Sequence, residues 1–399
     1  MNASQKRNSN TAASIFDFSS APAQKSLYPR QPLSPKQRLL ARQTLFDEMD
    51  GSLWVDAREI APEIGAQRIP SWDEMMLGKD PIPSYPHDWR IFEWSHTSAL
   101  QKWRKPIPQW IQQSCALFPS HQIEMLHYVG KYPQLLELLD HAPVLVWRLM
   151  QAQLSENDIH QLLSQKQTHL AAQLGWPAQK ETLSLLRKLR LRFVSPEVAE
   201  SIDTCILDPE RRHQLQQLPR INSMALTLAA RFPNLIGTPL HQTLAQLPCR
   251  PMQCQAMIAL LEDATTLTEY LHLNPTQTLG QFRYLTDIET QYRDWVFQQF
   301  AEKMPQKMSS SLTLSTQPLQ IQTPEQLMQI SQLTAHAWFA EVNLQTDKLI
   351  AWKIPSPEEK TETLIAAHYQ NQTLIKARTE NNQLPTAQQL SQFALLQRP

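Results

Sequence analysis

The sequence predicts a mostly α protein, an irregular helical array that ends in a small C-terminal α+β module. Three observations carry that expectation. From about Pro119 to Pro305, apolar residues recur every three to four positions, the spacing that gives a helix one buried stripe. Prolines such as Pro133, Pro143, Pro177, Pro196, Pro209 and Pro219 punctuate the same stretch at helix-length intervals. Across 318–396 the period changes, with runs at Leu319-Gln320-Ile321, Leu349 to Ile354, Glu362 to Tyr369 and Thr373 to Ala377. Short, partly alternating runs separated by Asn, Asp and Pro are strand-and-hairpin patterns.

Residues 1–36 are rich in Ser, Ala, Asn, Gln and Pro and bury too little apolar surface to offset their ordering entropy. They predict a flexible basic arm, because Lys6, Arg7, Lys25, Arg30, Lys36, Arg38 and Arg42 face only Asp17 before residue 47. The islands Ile15-Phe16 and Leu27-Tyr28 offer this arm a way to dock on the protein's own body or on a partner. Residues 37–114 hold Trp54, Trp72, Trp89, Trp94, Trp103 and Trp110 among prolines that forbid a continuous helix. The aromatics suit either a platform for bases or peptides, or tryptophans that lock irregular loops onto a helical body. Lys and Arg do not interleave at strand spacing, which favours the second. Residues 115–310 form the helical array, without a fixed repeat period, and residues 311–399 the α+β module.

Lysine plus arginine balance aspartate plus glutamate at 37 each, so no global field draws the chain to nucleic acid or an anionic membrane. Seven glycines against 30 prolines argue against phosphate-cradling glycine loops and for helices bounded by proline. No apolar run reaches the roughly 18 residues of a bilayer span. The polar stretch Met1 to Asn10 lacks a signal-peptide core. The scattered cysteines Cys115, Cys205, Cys249 and Cys254 fit a reduced compartment, so a cytoplasmic chain with no membrane partner is expected.

Candidate chemistry is sparse. Cys249 and Cys254 are the one close thiol pair, but zinc needs about four ligands and His241 and His272 lack paired spacing, so no metal is expected. Arg187, Lys188, Arg190 and Arg192, with Arg211 and Arg212 after them, form the strongest basic cluster. They suit a solvated helix end or, with Lys6 and Arg7, phosphate contacts. His336 is the weak catalytic candidate, since imidazole titrates near neutrality and the module also offers Glu341, Asp347, His368, Arg378 and Asn382. No paired acid or triad spacing accompanies it, so a structural role is expected, and no cofactor is implied.

Five short motifs in the C-terminal stretch occur in a set order. They are Thr323-Pro324-Glu325-Gln326-Leu327, Thr334 to Trp338, Leu349 to Trp352, Glu362-Thr363-Leu364 and Glu380 to Pro385. This order resembles the PcfJ-like family of bacterial conjugative plasmids and other mobile elements. The matching positions are Glu325, Leu327, His336, Thr363, Leu364, Asn382 and Pro385, and Leu174 to Pro177 resembles the helical region upstream. Ala337 and Trp338 replace the Cys and Val of the family's His-Cys-Val box, and the glycine expected in the turn shortly after it is absent. The resemblance therefore implies a mobile-element context without thiol chemistry. It supports a non-enzymatic cytosolic interaction or adaptor protein with a protein partner. The alternative is a nucleic-acid-binding or processing protein that uses the basic arm and the Arg187–Arg192 cluster.

Overall fold

The computed structural model describes residues 14–16, 33–94, 97–303, 312–355 and 362–390. Most of the expected arm, with Lys6 and Arg7, lies outside the described residues. The chain divides into two compact units, one of residues 21–237 and 241–254, the other of residues 1–20, 238–240 and 255–399.

The first unit opens with helix α1 (Pro35–Arg42) and a three-stranded antiparallel meander, β1 (Thr44–Phe46), β2 (Leu53–Asp56) and β3 (Ala66–Ile69). This sheet was not anticipated. Its strands are three or four residues long, and Leu45 and Trp54 face solvent, so the apolar alternation is too brief to register. Short helices α2 (Trp72–Leu77), α3 (Ser98–Arg104) and α4 (Gln109–Cys115) follow. Trp89 and Trp94 are buried in the loop before α3 and Trp103 on α3 itself, as expected of tryptophans that fasten Pro-rich segments. The Trp103 indole donates to Pro70 O at 3.0 Å. Trp54 and Trp110 remain exposed.

An array of short helices continues the first unit: α5 (Gln122–Lys131), α6 (Pro133–His141), α7 (Pro143–Gln151), α8 (Glu156–Leu163), α9 (Gln167–Gln173) and α10 (Lys180–Lys188). After them come α11 (Pro196–Leu207), α12 (Pro209–Gln216), α13 (Ser223–Arg231) and α14 (Pro239–Leu244), whose first two residues are counted with the second unit. Proline recurs at the first helical position, as in α6, α7, α11 and α12, where its missing N–H is no loss. Ser195 caps α11 by accepting from Val198 N, as its sequence suggests. Gly130 lets α5 approach α2, because a Cβ there would lie 2.9 Å from that of Met75.

Helix α15 (Pro251–Tyr270) leads into the second unit, which adds α16 (Pro275–Gly280) and α17 (Leu285–Lys303). Phe16 is buried in this unit and Ser14 Oγ donates to Glu289 at 2.5 Å, so this island of the arm docks on the protein's own body. Strand β4 (Leu319–Ile321) then precedes α18 (Pro324–Thr334) and the single turn α19 (Trp338–Glu341). Thr323 and Gln326 form a reciprocal capping box on α18. Strands β5 (Lys348–Pro355), β6 (Glu362–Gln370) and β7 (Thr373–Thr379) complete a four-stranded antiparallel sheet in the order β4-β5-β6-β7. Asn371 and Gln372, both at positive φ, make the two-residue β6–β7 turn. One face packs Leu349, Ala351, Leu364 and Ala366 against Leu327, Ile330 and Trp338. The other packs Trp352, Ile354, Ile365, Ala367 and Tyr369. Burial on both faces is why β6 reads as a continuous apolar run rather than an alternation.

Candidate functional site

Helix α15 turns Leu261, Ala264, Leu267 and Thr268 inward, and Asp263 shares this buried face. A carboxylate held there needs cations. Strand β7 supplies them from alternate positions, since Lys376 and Arg378 point to one side of the sheet. Arg378 clamps Asp263 with Nε 3.1 Å from Oδ2 and Nη2 3.0 Å from both oxygens. Lys376 Nζ bridges Asp263 and Glu341 of α19 at 2.8 Å each. Asn382 Nδ2 adds a donor to Asp263 at 3.2 Å.

His336 sits at the centre. Ala335 ends α18 in the left-handed conformation and turns the chain so that the imidazole enters the interior, fully buried. Its Nδ1 donates to Asn382 Oδ1 at 2.9 Å and lies 3.5 Å from Asp263 Oδ2. Its Nε2 stands 3.4 Å from Glu341 Oε1, an ion-pair distance. Tyr292 of α17 holds the neighbouring backbone, accepting Ala337 N–H at 2.8 Å with its hydroxyl 3.2 Å from His336 Nδ1. The Trp338 ring meets the imidazole edge-on at 4.1 Å.

Burial by itself lowers the His336 pKa, but the facing Asp263 and Glu341 carboxylates outweigh it and raise the value above 6.5. Burial raises both acids, yet His336 with Arg378 and Lys376 holds Asp263 below its ordinary 3.8, and His336 with Lys376 holds Glu341 below 4.5. Burial, together with Asp263, pushes the Tyr292 phenol well up. The carboxylates therefore stabilise the fold above about pH 4.5, and their contribution is lost as pH falls through the depressed values. The imidazolium contributes fully below pH 6.5, and its share is lost as pH rises through the elevated value. The second unit is expected to melt highest between these limits, and a His336→Gln variant to flatten the alkaline decline and to make the acid one shallower, because His336 helps hold both carboxylates down. A pH series of thermal melts followed by circular dichroism checks this, and an unchanged alkaline limb in the variant would refute it.

The expectation that His336 lacks a paired acid is corrected: Asp263 and Glu341 both face it. Asp263 escaped notice because Glu262-Asp263 reads locally as a solvated pair. The signal available was its place on the apolar stripe of α15. The ligand atoms of Asp263, His336 and Glu341 lie within 4.8 Å of one another. Lys376 and Arg378 already occupy the carboxylates, however, so a metal ion there would meet two cations. The arrangement is a charge lock: His336 and Asp263 are fully covered and Lys376 is 18% exposed.

Of the other motif residues, Leu327 and Leu364 meet in one core, Thr363 pairs with Ile354 across the sheet, and Glu325 lies in the first turn of α18. Pro385 precedes a helical turn at 387–390. In the basic cluster Arg187, Arg190 and Arg192 are exposed and Arg211 is half-buried on Asp208. Lys188 donates to Gln216 O and Leu218 O, and Arg212 is buried on Ile206 O and Gln179, which withdraws both from an external partner. Cys249 and Cys254 are buried free thiols 3.2 Å apart at the start of α15. His241 is buried and neutral, lowered to about 4 by burial, with its ring nitrogens on Gly237 N and Ala225 O. Among the described residues no helix is long and apolar enough to cross a membrane. Comparison with protein-family models, with curated proteins and with solved structures returns no match.

Proposed function

We propose that this is a non-enzymatic, cytosolic interaction protein, an adaptor of a bacterial mobile element or of its defence cargo. The observation that carries the reading is the closure of the His336 network, whose charges are spent on one another. The order of the PcfJ-like motifs supports the mobile-element context, and the free thiols suit a reducing compartment. The surface best suited to a protein partner is β7, an outer strand of the sheet, where Leu374 and Ile375 are exposed. An outer strand with apolar side chains is a template for an extended segment of another chain.

The second reading, nucleic-acid binding, rests on the exposed Arg187, Arg190 and Arg192. Fluorescence anisotropy of the full chain with short single- and double-stranded DNA and RNA probes, across a salt series, separates the two. The adaptor reading expects no more than weak binding, at dissociation constants of about 10⁻⁴–10⁻⁶ M near physiological salt. Tight binding with a steep salt slope that disappears in an Arg187→Glu, Arg190→Glu, Arg192→Glu variant would replace it with the second.

A further inference from the structure

A second group of metal-ligating side chains lies in the first unit, outside the basic cluster, the cysteine pair and the C-terminal motifs. His121 stands at the N-terminal boundary of α5 and Glu124 in its first turn, while His87 comes from the loop that precedes α3. The backbone brings them together, because His121 N–H donates to His87 O at 2.8 Å. The loop bearing His87 is anchored by the buried indoles of Trp89 and Trp94. The imidazole rings lie 4.4 Å apart, centroid to centroid. His87 Nδ1 is 3.2 Å from Glu124 Oε1, while His121 Nδ1 contacts Glu124 Oε2, and the three ligand atoms fall within 4.8 Å of one another.

We propose that His87, His121 and Glu124 bind one divalent transition-metal ion, with Zn²⁺ as the fitting species, and leave its fourth position open to a cleft. The separations suit that ion. Tetrahedral ligands at ~2.0–2.1 Å from zinc stand ~3.3 Å from one another, close to the 3.2 Å between His87 Nδ1 and Glu124 Oε1, and His121 has to give up its short hydrogen bond to Glu124 to reach the same spacing. Two imidazoles and one carboxylate select zinc, cobalt, nickel or copper over magnesium and calcium. Unlike the lock around His336, no lysine or arginine pairs with Glu124 among the described ion pairs. Access is also provided. His87 is half exposed, and a cleft of about 390 Å³ lined by His87, Glu124, Tyr128, Met150 and Ile159 opens beside the group. Glu156 lines the same cleft but is held by Lys131, Tyr132 and Ile82 N–H, so it does not complete the coordination. The fourth position falls to solvent, the pattern of zinc sites that keep one exchangeable ligand.

The test uses the full chain stripped by a chelator and titrated with Co²⁺, then with Zn²⁺ in competition. One equivalent of Co²⁺ should raise visible absorption bands that Zn²⁺ abolishes and Mg²⁺ does not. His87→Ala removes an exposed ligand at no cost to the core and should weaken binding by more than ~100-fold, beyond the loss typical of outer partners. Glu124→Gln should do the same with its melting temperature measured alongside, and His87→Ala alone decides if that variant does not fold. A Cys249→Ser, Cys254→Ser variant should bind as the parent does. Absence of stoichiometric bands, bands that survive His87→Ala, or bands lost with the thiols would each overturn the assignment.

Discussion

Replacing Asp263 with Asn is expected to destabilise the second unit by about 3–5 kcal/mol, the range for breaking a buried ion pair on one side only. The variant keeps the shape of the side chain and removes its charge. His336 and Lys376 then share one remaining carboxylate, that of Glu341, while Arg378 loses the carboxylate it clamps, and of the three only Lys376 is partly open to water. Urea unfolding read by hydrogen-exchange protection of the β6 and β7 peptides measures the loss where it occurs. A cost below about 1 kcal/mol would show that the cations reach solvent or tolerate the loss of this carboxylate, and the lock would cease to explain the site. Arg378→Met added to Asp263→Asn should cost less than the two changes summed, because the second removes a charge the first has stranded.

The second large effect belongs to Leu364. It is 3% exposed at the middle of the face formed by Leu327, Ile330, Trp338, Leu349 and Ala351. Leu364→Ala removes a side chain that sheet and helix both enclose, so the cavity has little room to collapse, and about 2–4 kcal/mol is expected. Leu374→Ala, at the exposed turn end of β7, serves as the control and should change stability by less than about 0.5 kcal/mol. Equal costs at the two positions in denaturant unfolding would contradict the packing described.

What was legible in the sequence was local. The expected run Glu362 to Tyr369 stops one residue short of β6, and β5 and β7 lie within two residues of the expected runs, because apolar runs bounded by turn residues are a short-range signal. The start of α11 was legible because Ser195-Pro196 supplied both the cap and the first turn, whereas α1, capped by Ser34, begins inside the stretch expected to be a flexible arm. The meander at 44–69 was not, since its three strands contribute too few inward residues to set a period. The partners of His336 were not legible for a different reason. Asp263 stands 115 residues from Arg378, and no local pattern spans that interval. His87 likewise belongs to a segment apart from His121 and Glu124, brought to them by a loop that its buried tryptophans help to anchor.

That 115-residue separation bears on how the chain is made. During synthesis α15 leaves the ribosome well before β7, so Asp263 exists for a time as an acid with no cation to meet. At ~5–20 residues per second the wait lasts about 6 to 23 seconds. Docking α15 against its neighbours in that interval buries a bare carboxylate, whereas leaving it in water costs nothing. The second unit is thus discouraged from closing early, and its closure is timed by the arrival of Lys376, Arg378 and Asn382. Ribosome-bound chains arrested before Lys376 should remain open to protease across α15, and chains arrested far enough beyond Asn382 to clear the exit tunnel should not.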